Sequence, residues 1–248
     1  MNVHARKIYG NKTLTKLSMA NSTPEVVSEG MKILCVMPCL PEDFNPRSLI
    51  SVLNQTIPVD MVILLPKKVQ GRGIDEKMSK VLNEGLSHIK LEDFDYILRV
   101  DSDTVIPKNF LERNLKGEPD LCGKAGHAML IKIKSFEKAL NCTFHPENDD
   151  SYTIYKFMQL GFKVDGWKVK PIHKKRLGTP LKYVERGKKM YRLGYSPFHA
   201  IYSFRYNFRN IFAIFGYFAA LLKREKKFDV ADFVWNKQVR KLLKMFIR

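Results

Sequence analysis

The chain is 248 residues long, 45% hydrophobic and 27% charged, which excludes a disordered or low-complexity protein and allows a sizeable buried core. Forty-three Lys+Arg against 25 Asp+Glu leave a net charge of +18, so an anionic partner is expected: nucleic acid, an anionic membrane or a phosphorylated substrate. Cys35, Cys39, Cys122 and Cys142 form no CxxC pair and no Cys/His cluster, and they read as free thiols in a reducing compartment.

Residues 1–30 are polar and basic without sustained periodicity and carry no visible signal peptide, so a flexible basic leader is expected there. From Met31 the pattern changes. "MKILCVM" is a short apolar run ended by Pro38 and predicts a buried strand. "NPRSLISVLNQ" predicts a helix with Asn45 as cap, Pro46 at the first helical position and an apolar face of Leu49, Ile50, Val52 and Leu53. "DMVILLP" is a second strand. "IDEKMSKVLNEGLSHI" is a helix capped near Asp75, with Met78, Val81, Leu82 and Leu86 on one side, and "YILRV" is a third strand. Strand and helix alternate, which predicts an α/β fold with a mostly parallel sheet covered by helices. In such sheets ligands bind at the carboxyl ends of the strands.

Further on, "AMLIKI" at 128–133 reads as another strand, and "DDSYTIYKFMQLG" as a helix ending at Gly161. "KVKPIHKKRLGTP" reads as a strand running into a basic loop. After Pro197 the composition shifts to aromatic, apolar and basic residues. The expected division is therefore a leader at 1–30, an α/β domain at 31–195 and a helical extension at 196–248.

The third strand stops at Asp101-Ser102-Asp103. Two like charges flanking one residue repel each other unless they share a cation. Mg²⁺ and Mn²⁺ take hard oxygen ligands and usually bind through one or two carboxylates plus substrate phosphates, which two aspartates at a strand end would permit.

The ordered set of motifs over residues 32–194 resembles a glycosyltransferase family 2 domain with the GT-A fold, a Rossmann-like sheet that binds a nucleotide sugar. "ILCVMPCLPED" is similar to that family's opening strand and loop, and "SLISVLNQTIPVDMVILLP" to its next helix and strand. "KVLNEGLSHI" is similar to its Ala-Arg-Asn-x-Gly helix, "YILRVDSDTVIP" to its metal-binding Asp-x-Asp strand, and "DDSYTIYKFMQLGFKV" to the helix carrying its Glu-Asp pair. The resemblance implies Asp103 as direct ligand of Mn²⁺ or Mg²⁺, with Asp101 touching the ribose or the metal and Ser102 beside it in the nucleotide site. It implies His173 as a further metal ligand or diphosphate contact. Pro38, Cys39, Leu40 and Glu42 would border the base, and Gly126 and His127 the donor sugar. Asp150 falls on the catalytic base, with Asp149 where a glutamate is usual. Each of the two could also serve only to cap its helix.

Two positions depart from that family's pattern. Leu65, Pro66 and Lys67 stand where an aspartate usually contacts the nucleobase, and Leu82 replaces the arginine of Ala-Arg-Asn-x-Gly. A UDP- or GDP-sugar donor is thus left open. The acceptor would be a glycan hydroxyl or a lipid-linked phosphate.

Lys163 to Arg192 hold eleven Lys/Arg against Asp165 and Glu185, enough to clamp a diphosphate or a phosphorylated acceptor. "NIFAIFGYFAALL" is strongly apolar but thirteen residues long, short of the roughly 20 needed to span a bilayer. In "FDVADFVWNKQVRKLLKMFIR", Ala231, Val234, Trp235, Val239, Leu242 and Phe246 fall near one helical face among basic residues. That is the composition of an interfacial helix on an anionic membrane, or of a helix packed on its own domain or on a second copy. The expected location is cytoplasmic, peripheral on the inner membrane face. Two other classes remain in play: a nucleic-acid-binding protein, suggested by the charge and "FHAIYSFRYNFRN" but without a known motif, and a non-catalytic nucleotide-sugar binder.

Overall fold

The computed structural model describes residues 4–7, 15–18, 30–39, 44–66, 74–123, 127–147, 149–173 and 178–246. The chain divides into two compact units, Met1–Lys174 and Lys175–Arg248.

The first unit is built on β1 (His4–Lys7), β2 (Thr15–Ser18), β3 (Ile33–Cys39), β4 (Met61–Pro66), β5 (Tyr96–Val100), β6 (Thr104–Val105), β7 (Leu121–Cys122), β8 (Ala128–Lys132), β9 (Val164–Asp165) and β10 (Ile172–His173). Among the described residues, eight of these form one sheet in the order β1-β2-β4-β3-β5-β8-β7-β9, while β6 and β10 make a separate antiparallel ladder. The central strands β4, β3 and β5 are parallel, in register Leu34↔Met61 and Ile33↔Tyr96. Their carboxyl ends, Cys39, Pro66 and Val100, therefore share one edge of the sheet. β8 runs antiparallel to β5, with Val100 opposite Ala128.

Apolar runs without alternation follow from burial on both faces. Leu34, Val36, Ile63, Leu65 and Ile97 pack under α2 (Ile74–Ser87), α4 (Ile133–Leu140) and α5 (Asp149–Gln159), with Phe136, Phe144 and Phe157 in that layer. Ile33, Cys35, Met37, Val62 and Leu98 face α1 (Pro46–Leu53) and α3 (Phe110–Leu115), with Val52, Phe110 and Leu111 buried there. Asn45 caps α1 by accepting from the Arg47 amide at 3.1 Å, and Pro46 follows it, as the sequence predicts. Met78, Val81, Leu82 and Leu86 are all buried on α2. The first strand continues through Pro38 to Cys39. β5 pairs only as far as Val36, so β3 has a neighbour on one side alone at Pro38, and the missing N–H is tolerated.

Within residues 1–30, expected as a leader, β1 and β2 extend the sheet by pairing onto β4, Leu17 opposite Val62. Short basic strands are what an outer sheet edge tolerates, so their polarity hides them. At the opposite, amino-terminal ends of the central strands, aspartates lock the register. The Ile33 amide donates to Asp60 at 2.7 Å and the Lys32 amide donates to Asp95 at 2.8 Å. Asp120 accepts from Ser135 and from the Lys163 amide. The four cysteines are free.

The second unit contains α6 (Pro180–Arg192), α7 (Pro197–Tyr202), α8 (Asn210–Leu222) and α9 (Ala231–Phe246). α6, which falls within the expected 31–195 segment, packs against α8. A Cβ on Gly187 would sit 1.8 Å from the Ala213 carbonyl oxygen, and one on Gly216 would sit 2.0 Å from that of Val184. The two backbones touch where only glycine fits. No helix among the described residues is long and apolar enough to cross a membrane.

Candidate functional site

The strand-end carboxylates lie at the carboxyl edge of the central strands. Immediately after β5 the chain turns. The Asp101 amide donates to the His127 carbonyl at 3.0 Å, and the Thr104 amide closes the turn on the Asp101 carbonyl at 2.9 Å. The Asn45 amide binds the Ser102 carbonyl at 3.1 Å, and the Ser48 hydroxyl donates to the carbonyls of Asp101 and Thr104. The start of α1 thus braces the turn from below. Ser102 is buried, whereas the side chains of Asp101 and Asp103 are both partly exposed, Asp103 at 31%.

β6 leaves this turn and pairs with β10, Thr104 opposite His173. That short ladder carries His173 from the far end of the unit to the turn. Its Nδ1 lies 3.1 Å from the Thr104 hydroxyl and 3.5 Å from Asp103 Oδ1. His127 arrives from another direction, as the residue before antiparallel β8. Its ring stacks on His173 with centroids 4.7 Å apart, and it tilts against Trp167 at 5.1 Å. Trp167 is fixed by donating from Nε1 to the Ala128 carbonyl at 3.1 Å.

Burial holds the His127 imidazole below its ordinary pKa range. His173 and Arg99 push it further the same way, while Asp103 and Asp150 pull it up. Asp150, at the start of α5, thus bears electrostatically on the same ring as Asp103. Asp150 Oδ1 accepts from the neighbouring Ser151 amide. Asp149 opens α5 one residue earlier.

Of the expected site residues, Asp101, Ser102, Asp103, His127 and His173 come together here, and Asp150 bears on His127 through its charge. Pro38 and Cys39 end β3 on the same edge, with Pro38 buried and the Cys39 thiol pushed up by burial. Leu40, Glu42, Gly126, Lys67 and the basic loop 174–177 lie outside the described residues. Leu65, at the position where the resemblance would place a base-contacting aspartate, is buried against α2.

Two members of the site were not singled out from the sequence. Arg99 sits inside an apolar strand, 3% exposed, with its guanidinium 3.8 Å from Asp101 and 5.8 Å from the centroid of Phe144. Its signal was available: residues two apart on a strand share a face, so an arginine two before Asp101 had to point the same way. Trp167 carried no such local signal.

No protein-family model and no curated protein sequence matches the chain. Solved structures do match. A mannosyltransferase from Pyrobaculum calidifontis, PcManGT, in complex with GDP-Man and Mn²⁺, superposes with a TM-score of 0.51 at 14% identity over 85% of this chain and 80% of that one. A197 from STIV follows at 0.41 and 16% identity, over 59% of this chain and 87% of its own. S. aureus TarS follows at 0.42 and 13%, over 65% of this chain and 40% of its own. The first of these likenesses establishes the fold: a GT-A-like, Rossmann-type α/β architecture.

Proposed function

We propose that the protein is an inverting, metal-dependent glycosyltransferase of family 2 type. It would move a hexosyl group from a nucleotide sugar to a hydroxyl or lipid-phosphate acceptor at the inner face of a membrane. The observation that carries this reading is the meeting of Asp103, His173 and His127 at the Asp101–Asp103 turn, on the carboxyl edge of a GT-A-like sheet. The neighbour's GDP-Man and Mn²⁺ support a nucleotide-sugar donor and a divalent cation.

The donor set fits such a cation. Among the described residues no group of three or more His, Cys, Asp or Glu side chains is placed to hold a metal ion by itself. An open carboxylate pair suits a hard cation that completes its shell with diphosphate oxygens. Asp103 and Asp101 would hold it, with His173 beside them. When bound it supplies Lewis-acid neutralisation of the departing diphosphate. The residues of the chain do the rest. Arg99 and the brace from Asn45 and Ser48 fix the Asp101–Asp103 turn. Asp150 accepts the proton of an acceptor hydroxyl as its oxygen bonds to the anomeric carbon, while the bond from that carbon to the diphosphate breaks on the opposite face.

The test is a thermal-shift screen of UDP- and GDP-sugars with and without Mn²⁺, followed by donor hydrolysis on the hits. Metal-dependent stabilisation with turnover supports the proposal. Stabilisation without hydrolysis or transfer would favour a non-catalytic nucleotide-sugar binder.

A further inference from the structure

The sequence directs attention to the last helix as the membrane-facing element, but the first turn of that helix's apolar stripe is packed within the second unit. Val234 and Ala231 of α9 are buried, and Ala231 lies against Gly194, where a Cβ would come within 2.2 Å of its carbonyl oxygen. Trp235 of α9 is 41% exposed, but the most exposed large apolar side chains of the second unit lie elsewhere. On α7, Phe198 (73% exposed), Ile201 and Tyr202 are spaced i, i+3, i+4 and so share one face. The 3₁₀ turn after α7 and the loop beyond it add Phe204 and Phe208 (72% exposed), whose rings touch at 5.7 Å between centroids. Five large apolar side chains exposed within eleven residues are more than the scattered singles of an ordinary surface.

The charge around them has one sign. No Asp or Glu occurs anywhere in residues 186–224, and Arg205, Arg209, Lys223 and Arg224 punctuate that stretch. Across residues 175–248, eighteen Lys/Arg stand against Glu185, Glu225, Asp229 and Asp232. A protein partner would need an acidic rim around an apolar centre. A bilayer carrying anionic headgroups presents that combination over any area, with apolar depth for the rings and phosphate for the arginines. Aliphatic Ile201 and Leu222 (83% exposed, at the end of α8) fit acyl chains better than they fit nucleobases, which are taken by stacking on aromatic rings.

We propose that α7, its following turn and Phe208 form a membrane-insertion element for an anionic lipid bilayer, with Arg205 at headgroup level. This deepens the membrane placement proposed above and stands apart from the chemistry, because it is read without donor or turnover.

The experiment is flotation of the full-length protein with vesicles of phosphatidylcholine alone and of phosphatidylcholine with phosphatidylglycerol, at low and high salt. Binding should require the anionic lipid and weaken, without vanishing, at high salt. Phe198→Ser with Phe208→Ser should weaken it by about 10²-fold, roughly tenfold for each ring withdrawn from lipid. Both side chains are exposed, so circular dichroism and nucleotide-sugar thermal shifts of that variant should match wild type. Arg205→Glu should weaken binding and flatten its salt dependence. The proposal is overturned if wild type stays unbound, if the double variant floats as well as wild type, or if single-stranded DNA displaces the protein from vesicles while binding through the same rings. It is also overturned if the rings prove to hold a dimer that the double variant breaks. Loss of vesicle binding with intact transfer, or the converse, separates the failure of this proposal from failure of the enzymatic one.

Discussion

His127 and His173 stack with their planes 18° apart, although one precedes β8 and the other ends β10. The stack makes the orientation of His173 at Asp103 depend on a residue that need not touch the cation. Outer partners of metal ligands typically change metal affinity by about 10–100-fold when removed. His127→Ala should therefore lower Mn²⁺ affinity by about tenfold while leaving the fold intact, as read by Mn²⁺ titration in the presence of nucleoside diphosphate. Unchanged affinity would assign the stack to the donor sugar's wall instead.

Asp103→Asn keeps the shape of the side chain and removes its charge. Turnover should fall on the order of 10²–10³-fold, because charge stabilisation at the leaving group is lost. Added EDTA should bring wild type to the same level. The melting temperature should hardly move, since Asp103 lies at a partly exposed turn. A variant as active as wild type would remove the metal assignment.

Asp150→Asn should lower kcat by about 10²–10⁴-fold with little effect on donor KM, because a base acts in the transition state. Loss of donor binding with a lower melting temperature would point to helix capping. A small effect in an otherwise active enzyme would identify a lipid-phosphate acceptor, which is already ionised.

The alternation of strands and helices and the strand-end acids were legible because they are local: a few residues of one period, then two charges. His127 beside Asp101 was implied only by the family resemblance and not by the local pattern. It depends on β8 running antiparallel to β5, which sets Ala128 opposite Val100, and nothing in "AMLIKI" specifies direction. Trp167 and the α6–α8 pair escaped for the same reason. Gly187 reads as a weak helix position until Ala213 is seen against it.

Gly187→Ala should thus be damaging out of proportion to its size. Its methyl would fall 1.8 Å from a backbone oxygen, which no side-chain adjustment relieves. A loss on the order of 2 kcal/mol or more is expected in denaturant unfolding. A neutral result would mean that α6 and α8 can separate freely.

Burial pushes the Lys189 amine of α6 down from 10.5 to about 8. The native state therefore sheds this proton before the unfolded chain does, and stability should rise as pH climbs from about 8 towards 10.5. At pH 7 both states are charged and the full cost of burial is present. Lys189→Met should be more stable than wild type there by about 1–2 kcal/mol, after allowance for solvent screening. The gap should close only as pH passes about 10.5, checked by urea unfolding across that range. A gap that stays constant with pH would show that the amine is not desolvated.

The aspartates at the two edges of the sheet have opposite employments. Asp60, Asp95 and Asp120 spend their oxygens on main-chain amides at the amino-terminal edge, or on a serine nearby, and so tie down strand register with bonds internal to the protein. The strands that carry Asp101 and Asp103 are thereby held from their opposite ends. A cation arriving with its diphosphate and leaving with it would neither fold nor unfold the domain. Each catalytic cycle could then exchange its metal along with its product.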